Sequence, residues 1–157
     1  MEKPSASTPK PFVQIACVCE KVLIEPDNVP SLIRVVDTYM LELPATDPPL
    51  GIKIAASLTA FISLKSGDVI GDFEVGLRLN APDGKEHPTR TWPAEFRGAE
   101  NGVNMKIAFT LQDVKFGLYW FDVLWGDEVL TRIPFRLKPT PSESTDAVAA
   151  PNETVTQ

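Results

Sequence analysis

The chain has 157 residues, of which 43% are hydrophobic and 23% charged, and its net charge is −6. This is one domain's worth of sequence, and a core of that size needs no disulfide or metal to hold it together. The acidic balance and the scattered basic residues argue against nucleic-acid binding, and no apolar stretch is long enough for a transmembrane helix. Residues 1–10 lack the apolar core of a signal peptide, so we expect a cytoplasmic protein that binds neither nucleic acid nor membrane.

Both ends of the chain are rich in Pro, Ser, Thr and Ala and poor in large apolar residues. Such segments cannot bury enough apolar surface to offset the entropy lost on ordering. We therefore expect disordered tails at residues 1–10 and 139–157, on either side of a single domain at residues 11–138.

We predict eight β-strands between the tails. Each is identified either by the alternation of apolar and polar residues along it or by turn sequences at its ends. In chain order they are residues 12–24, 32–43, 52–64, 73–79, 86–97, 103–111, 117–125 and 128–137. Turn-forming sequences such as Ser66-Gly67-Asp68 and Ala81-Pro82-Asp83-Gly84 separate them. The sequence therefore predicts an all-β fold in which two antiparallel sheets pack as a sandwich.

Three of these stretches have patterns that place them within the fold. Residues 52–64 are apolar at every even position, which predicts a strand covered on one side only. Residues 12–24 are apolar on both faces until Glu20 and Lys21, which predicts a strand that is covered on both sides or contains a bulge. Residues 86–97 are polar and contain two prolines, which cannot donate to a neighbouring strand, so we predict an edge strand there.

The last predicted hairpin resembles that of immunoglobulin-like sandwiches. The resemblance lies in Gly117-Leu118-Tyr119-Trp120-Phe121-Asp122-Val123, then Gly126-Asp127, then Ile133-Pro134-Phe135-Arg136-Leu137. In that fold a tyrosine near the start of the penultimate strand hydrogen-bonds back to the chain and forms a tyrosine corner. Tyr119 matches this position, and the expected class is an immunoglobulin-like or C2-like sandwich.

The whole pattern also resembles an uncharacterised bacterial family, a domain of unknown function. Its first strand ends in Leu-Cys-Asp, where this chain has Val18-Cys19-Glu20. Its Gly-Val-Phe-Asp motif corresponds to Arg34-Val35-Val36-Asp37, which lacks the glycine. The likeness covers residues 13–138 and implies a cytoplasmic sandwich of unknown function with no catalytic residue to carry over.

Residues that commonly support catalysis are few. His87 is the only histidine, and its polar surroundings predict a solvated loop residue. Cys17 and Cys19 share one face of a predicted strand, with Cβ atoms too far apart for a disulfide, so we expect two buried free thiols. Asp37 interrupts an apolar face, and we expect a bulge or a loop cap to turn it outward. We therefore predict that the chain is not an enzyme and holds no cofactor.

Calcium or small-ligand binding is the alternative that the loop residues leave open. Five aspartates lie in predicted loops: Asp47, Asp68, Asp72, Asp83 and Asp127. Aspartates from loops at one end of a sandwich can converge on calcium. Aspartate is also a favoured turn former, which accounts for the same positions without a ligand.

The strand at residues 117–125 is apolar on both faces, although only one face can meet the core. If the face that contains Tyr119 points inward, three side chains remain outside: Leu118, Trp120 and Leu124. A large exposed apolar patch marks a partner site, unless a loop such as residues 44–51 covers it. We therefore predict a non-enzymatic binding or adaptor module that contacts another protein or its own copy.

Overall fold

The computed structural model describes residues 8–42 and 55–140, and within them the chain forms seven β-strands and no helix. The strands are β1 Phe12–Ile24, β2 Pro30–Val35, β3 Thr38–Leu41, β4 Ala56–Asn80, β5 Arg90–Leu111, β6 Gly117–Trp125 and β7 Glu128–Pro139. The all-β prediction is therefore confirmed for this part of the chain, which offers no helix that could cross a membrane. Residues 1–7 and 141–157 lie outside the described residues, so the disorder expected in the tails stays a prediction.

The number of strands differs from the predicted eight. β4 runs uninterrupted through Ser66-Gly67-Asp68, and β5 joins the predicted strands 86–97 and 103–111. The predicted strand 32–43 is instead divided at residues 36–37 between β2 and β3. Glycine and aspartate favour bulges inside paired strands as well as turns between strands, which is why the composition of residues 66–68 was misleading.

All seven strands belong to one hydrogen-bonded sheet, in the order β2-β1-β4-β6-β7-β3, with β5 paired to β4. β5 follows one edge of β4, while β1 and β6 share the other edge, β1 beside the first part of β4 and β6 beside the last part. The two separate sheets that we predicted are thus one continuous, curled sheet, because β4 and β5 stay paired through the bend. All pairings are antiparallel except that of β3 with β7.

The bend in the long β4–β5 pair lies near Gly67, where the register shifts twice. Gly67 has a φ of 56°, in the left-handed region that glycine adopts without strain. On the facing strand, a Cβ added to Gly102 would lie 2.1 Å from the carbonyl oxygen of Leu64. The bend therefore needs glycine at position 67 for its left-handed backbone conformation, and at position 102 because the facing backbone lies too close for a side chain.

The apolar faces predicted from alternation meet in one core. The even-numbered residues from Ala56 to Leu64 are buried, which confirms the predicted face in the described part of 52–64. The odd-numbered residues of 103–111 are buried or half-buried, and the even-numbered ones are exposed, again as predicted. Among the described strands β5 pairs only with β4, so the predicted edge strand is confirmed.

The opposite side of β4 is also covered, so the prediction of a one-sided strand was wrong. Phe61 is only 1% exposed there. It belongs to a second, smaller cluster with Cys17, Cys19, Val22 and Leu32. β1 is apolar on both faces because both faces pack, and it also contains a bulge between Val13 and Ile15.

Tyr119 forms the predicted tyrosine corner. Its hydroxyl donates to the Lys115 carbonyl at 2.9 Å and accepts from the Lys115 backbone N–H at 3.0 Å. The side chain of Tyr119 therefore fixes the connection between β5 and β6 against the core.

Candidate functional site

The two faces of β6 meet different surroundings. Its odd-numbered side chains, starting with Tyr119, point into the core. On the outer face, Leu118 is half-buried and Trp120 is 37% exposed. Leu124 is buried because it lies over Gly76 of β4, where an added Cβ would be 3.1 Å from the Leu124 Cβ. Trp120 is therefore the most open of the three predicted interface residues, and Leu124 is covered by its own sheet.

Asp122 lies on the same outer face, and its side chain is only 2% exposed. Its Oδ2 accepts hydrogen bonds from Arg78 Nη2 at 2.8 Å and from Asn80 Nδ2 at 3.1 Å. Its Oδ1 lies 3.2 Å from Arg132 Nε. The hydrogen bond that Arg78 donates to Asp122 raises the pKa of the Arg78 guanidinium above its usual value. The carboxylate is thus hidden beneath two arginines that both remain in contact with solvent.

The hairpin of β1 and β2 extends beyond the rest of the sheet. β1 pairs with β4 only as far as Cys19, and from residue 20 onward β2 is its only partner within residues 8–42 and 55–140. The connecting turn is closed by the Asn28 N–H, which donates to the Glu25 carbonyl at 2.9 Å. Five large apolar side chains on the two faces of this hairpin are 38–57% exposed, with Leu23 and Ile24 on opposite faces of β1, and we call the five together the hairpin patch: Leu23, Ile24, Val29, Ile33 and Val35.

A cleft of about 920 Å³ opens between the two halves of β5. Half-buried apolar side chains form part of its wall: Leu79, Trp92, Ile107 and Phe109. Its charged residues are four basic ones and two aspartates: Lys85, Arg90, Lys106, Lys115, Asp83 and Asp113. The cleft is therefore lined by more positive than negative charge, although the whole chain carries a net charge of −6.

The aspartates considered as calcium ligands are spread over the fold. Asp68 and Asp72 lie within β4 and not in loops, because the expected turn is a bulge. Asp127 lies in the turn between β6 and β7, and Asp47 is outside the described residues. Within residues 8–42 and 55–140, no three His, Cys, Asp or Glu side chains form a group that could hold a metal ion.

Asp83 has a cationic partner. It lies in the predicted turn after β4 and forms an ion pair with Lys115. The hydrogen bond from Lys115 lowers the pKa of Asp83 below its usual value. This carboxylate is therefore already engaged by a cation of the same chain.

Cys17 and Cys19 are both free, as predicted. Cys19 is fully buried and Cys17 is half-buried. Burial raises the pKa of both thiols, and the neighbouring Cys19 raises that of Cys17 further. Both thiols are therefore protonated at neutral pH and poor nucleophiles.

His87 and Asp37 occupy the exposed positions that the sequence predicted. His87 lies in the connection between β4 and β5, where its backbone N–H donates to the Leu79 carbonyl at 2.8 Å. Asp37 lies at the break between β2 and β3, and its carbonyl accepts from the Arg136 N–H at 2.9 Å. Asp37 is thus turned outward at the point where the chain leaves β2, which pairs with β1, and enters β3, which pairs with β7.

Two of these features were missed by the sequence analysis. The hairpin patch was hidden because the apolar residues of 12–24 were all assigned to packing, with no signal for where β4 pairing ends. Asp122 and Arg132 lie on outward positions of one hairpin, so their proximity could have been predicted. Arg78 lies on another strand, 44 residues before Asp122 in the chain, so no local sequence pattern predicts their contact.

No protein-family model matches the chain, and no curated protein matches it. Among solved structures, the chain is similar to an immunoglobulin-like protein from Pseudomonas aeruginosa, with a TM-score of 0.40 and 17% sequence identity. That similarity covers 85% of this chain and 100% of the other. The comparisons therefore assign neither a family nor a function.

Proposed function

We propose that the chain is a non-enzymatic binding or adaptor module that contacts a protein partner through the hairpin patch. The observation that supports this most strongly is the exposure of five large apolar side chains on a hairpin that extends past β4. Exposed apolar groups of this kind mark interaction sites in soluble proteins. Removing such surface from water is favourable by about 25 cal/mol for each Å², of which only the part left after the costs of association appears as affinity.

The outer face of β6 is the second contact surface in this proposal. Trp120 lies there two residues from Asp122, which is flanked by Arg78 and Arg132 on the neighbouring strands. Tryptophan and arginine are among the residue types most enriched at the energetic centres of interfaces. Because Asp122 already holds both guanidinium groups, they lose little further freedom when a partner binds.

The finer description of the fold belongs to the same proposal. We take the curled sheet to be an immunoglobulin-like sandwich of the uncharacterised bacterial type, and the tyrosine corner of Tyr119 supports this. The free thiols of Cys17 and Cys19 suit a cytoplasmic location. The net charge of −6 disfavours nucleic acid and anionic membrane surfaces as partners. The raised pKa of both thiols and the exposed position of His87 support a role without catalysis.

The test compares four full-length chains as affinity baits in a lysate of the source cells. They are the wild type, the hairpin variant Ile24→Ser/Val35→Ser, the outer-face variant Trp120→Ser, and the control Ile70→Ser. Ile70 is a suitable control because it is 74% exposed and lies at the bend in β4, away from both surfaces. Thermal melts first establish that all four are folded.

The wild type and Ile70→Ser should capture the same protein, and the hairpin variant should lose it. With that protein purified, the hairpin variant should weaken the Kd by about 30-fold or more, which corresponds to about 2 kcal/mol for an interface centre. A hairpin variant that binds within about twofold of the wild type, well under 1 kcal/mol, would remove the hairpin patch from the proposal. Loss of binding in Trp120→Ser alone would transfer the function to the outer face.

The cleft favours a second candidate, the binding of a small anionic amphiphile. Its apolar wall would contact a hydrocarbon chain, and its excess of basic residues would attract a carboxylate. Titration with decanoate should change the fluorescence of Trp92 in a saturable way, and the change should disappear in Trp92→Phe. A linear or absent response in the wild type would exclude this candidate.

A further inference from the structure

We propose that the second half of β5, residues 103–111, pairs with the same segment of a second copy of the chain in an antiparallel, two-fold symmetric sheet. The surface involved is a strand edge, distinct from both the hairpin patch and the outer face of β6, although residues 106–111 also line the cleft. The inference is therefore independent of the proposed partner and goes beyond it.

The first argument is that this edge is open and regular. Among the described strands, β5 pairs only with β4, so the backbone groups on its other side have no strand partner. From Ala56 opposite Leu111 to Lys65 opposite Gly102, the β4–β5 register is unbroken. An unbroken edge of this length is a template for pairing with another strand.

The second argument is that the neighbouring edges have backbone or length features that block strand pairing, and this one does not. Proteins block open edges with prolines, bulges, left-handed residues or very short strands. Such features occur on the other open edges of the described sheet: the bulge between Val13 and Ile15 in β1, Pro30 and left-handed Arg34 in β2, the four-residue length of β3, Pro93 in the first half of β5, and Pro134 in β7. Residues 103–111 contain none of these features, and the lysine at position 106 is the one edge-protecting residue type among them.

The third argument concerns charge. Lys106 is the only charged residue between 102 and 111, although the whole chain has a net charge of −6. Two copies therefore approach each other at this edge with less repulsion than the acidic chain as a whole would impose.

The register follows from the same residues. Directly opposed residues in an antiparallel pair point to the same side, so the apolar odd-numbered faces of both copies coincide only when odd residues oppose odd ones. A two-fold axis at Lys106 would place two ammonium groups opposite each other. An axis at Ile107 pairs the whole segment with itself, with Val103 opposite Leu111 and Lys106 opposite Ala108. We therefore place the axis at Ile107.

Ala108 allows a matched pair of variants. It is exposed, so neither lysine nor glutamate at this position disturbs the core. In the proposed register, Ala108→Lys places an ammonium group opposite Lys106 of the second copy, and Ala108→Glu places a carboxylate there. Both contacts occur twice because of the symmetry. At about 0.2–1 kcal/mol for each cross-strand pair, each substitution should change the dimer Kd by about 2- to 30-fold, in opposite directions.

Sedimentation equilibrium of the full chain measures these constants. The expected result is a concentration-dependent dimer in the wild type, a weaker one in Ala108→Lys, a tighter one in Ala108→Glu, and an unchanged Kd in Trp120→Ser and in Ile24→Ser/Val35→Ser. A wild type that stays monomeric up to about 1 mM, where even weak complexes form, would overturn the inference. So would a dimer that both Ala108 variants leave unchanged, or one that a hairpin or outer-face variant abolishes. Thermal melts of the variants provide the control for folding.

Discussion

Cys17 stands directly opposite Phe61 across the β1–β4 pair, on the side of β4 away from the main core. Phe61 and Cys19 are both buried there, so the thiols lie in a small apolar cluster with little access to water. This cluster explains why β1 needs apolar residues on both faces, and it determines how the thiols respond to pH.

The free energy of unfolding should fall as the pH rises above the ordinary thiol range. Burial raises the pKa of both thiols, so above about pH 8.5 the unfolded chain releases protons that the folded chain retains. The unfolded state then binds fewer protons, and stability decreases with pH; below that range the contribution is fully present. Urea titrations between pH 7 and 10 measure the slope. The difference between the pH slopes of the wild type and of Cys17→Ala/Cys19→Ala gives the contribution of the thiols to the pH dependence of stability. Identical slopes in the two chains would contradict the explanation.

Tyr119→Phe should lower the free energy of unfolding by about 1–2 kcal/mol, because it removes the hydroxyl that bonds to both backbone groups of Lys115. Tyr39→Phe is the matched control, since Tyr39 is half-buried against the core and donates no hydrogen bond among the described residues. Urea unfolding at neutral pH compares the two. Equal effects would mean that the tyrosine corner contributes nothing beyond its ring.

Asp122→Ala should destabilise the chain by about 1–3 kcal/mol, because it removes the carboxylate that accepts hydrogen bonds from Arg78 and Asn80 and forms an ion pair with Arg132, and it leaves a gap on the outer face. Asp122→Leu should cost less, since both arginines can turn to solvent while the leucine packs between neighbouring side chains. Chemical denaturation ranks the two variants. A leucine variant less stable than the alanine variant would show that the charged cluster itself holds the sheet together.

Gly102→Ala should destabilise the chain more than Gly84→Ala. The added methyl at 102 would press against the Leu64 carbonyl, which belongs to a paired strand and cannot move aside, so the loss should be about 1–3 kcal/mol or more. At Gly84 the surrounding space is open, and only its φ of 81° opposes the substitution, which costs about 1 kcal/mol. Thermal and urea unfolding of both variants test the close approach at the bend.

Calcium at millimolar concentration should leave the midpoint of thermal unfolding unchanged. A ligand that binds only the native state must raise that midpoint, and the described aspartates do not form a group able to hold a metal ion. The melt is compared with and without calcium, with magnesium as a control for ionic strength. A rise specific to calcium would restore the alternative based on the loop aspartates.

Local patterns in the sequence predicted the local parts of this structure. The alternation in 103–111, the turn at Pro82-Asp83-Gly84 and the tyrosine corner all depend on residues close together in the chain. The joining of strands across residues 66–68 was not predictable, because a bulge and a turn use the same residue types. The continuous sheet was missed for the same reason, since the bend keeps β4 and β5 paired where a turn was expected.

For the candidate surfaces too, local features were predictable from the sequence, whereas contacts between distant strands were not. The alternation along β6 correctly separated Trp120 from the core-facing side chains, but the covering of Leu124 depends on Gly76, which lies on another strand. The exposure of the hairpin patch depends on where β1 leaves β4, and that point is set by pairing between distant segments. Periodicity gives the direction of a side chain, whereas burial depends on which strand lies beside it.

Hydrogen–deuterium exchange of the full chain, with and without the captured partner, tests the central claim most directly. The account predicts slower exchange in peptides covering the β1–β2 hairpin, residues 20–35, and no change around Ile70 at the bend. Protection confined to other strands, with the hairpin exchanging at the same rate in both samples, would contradict it.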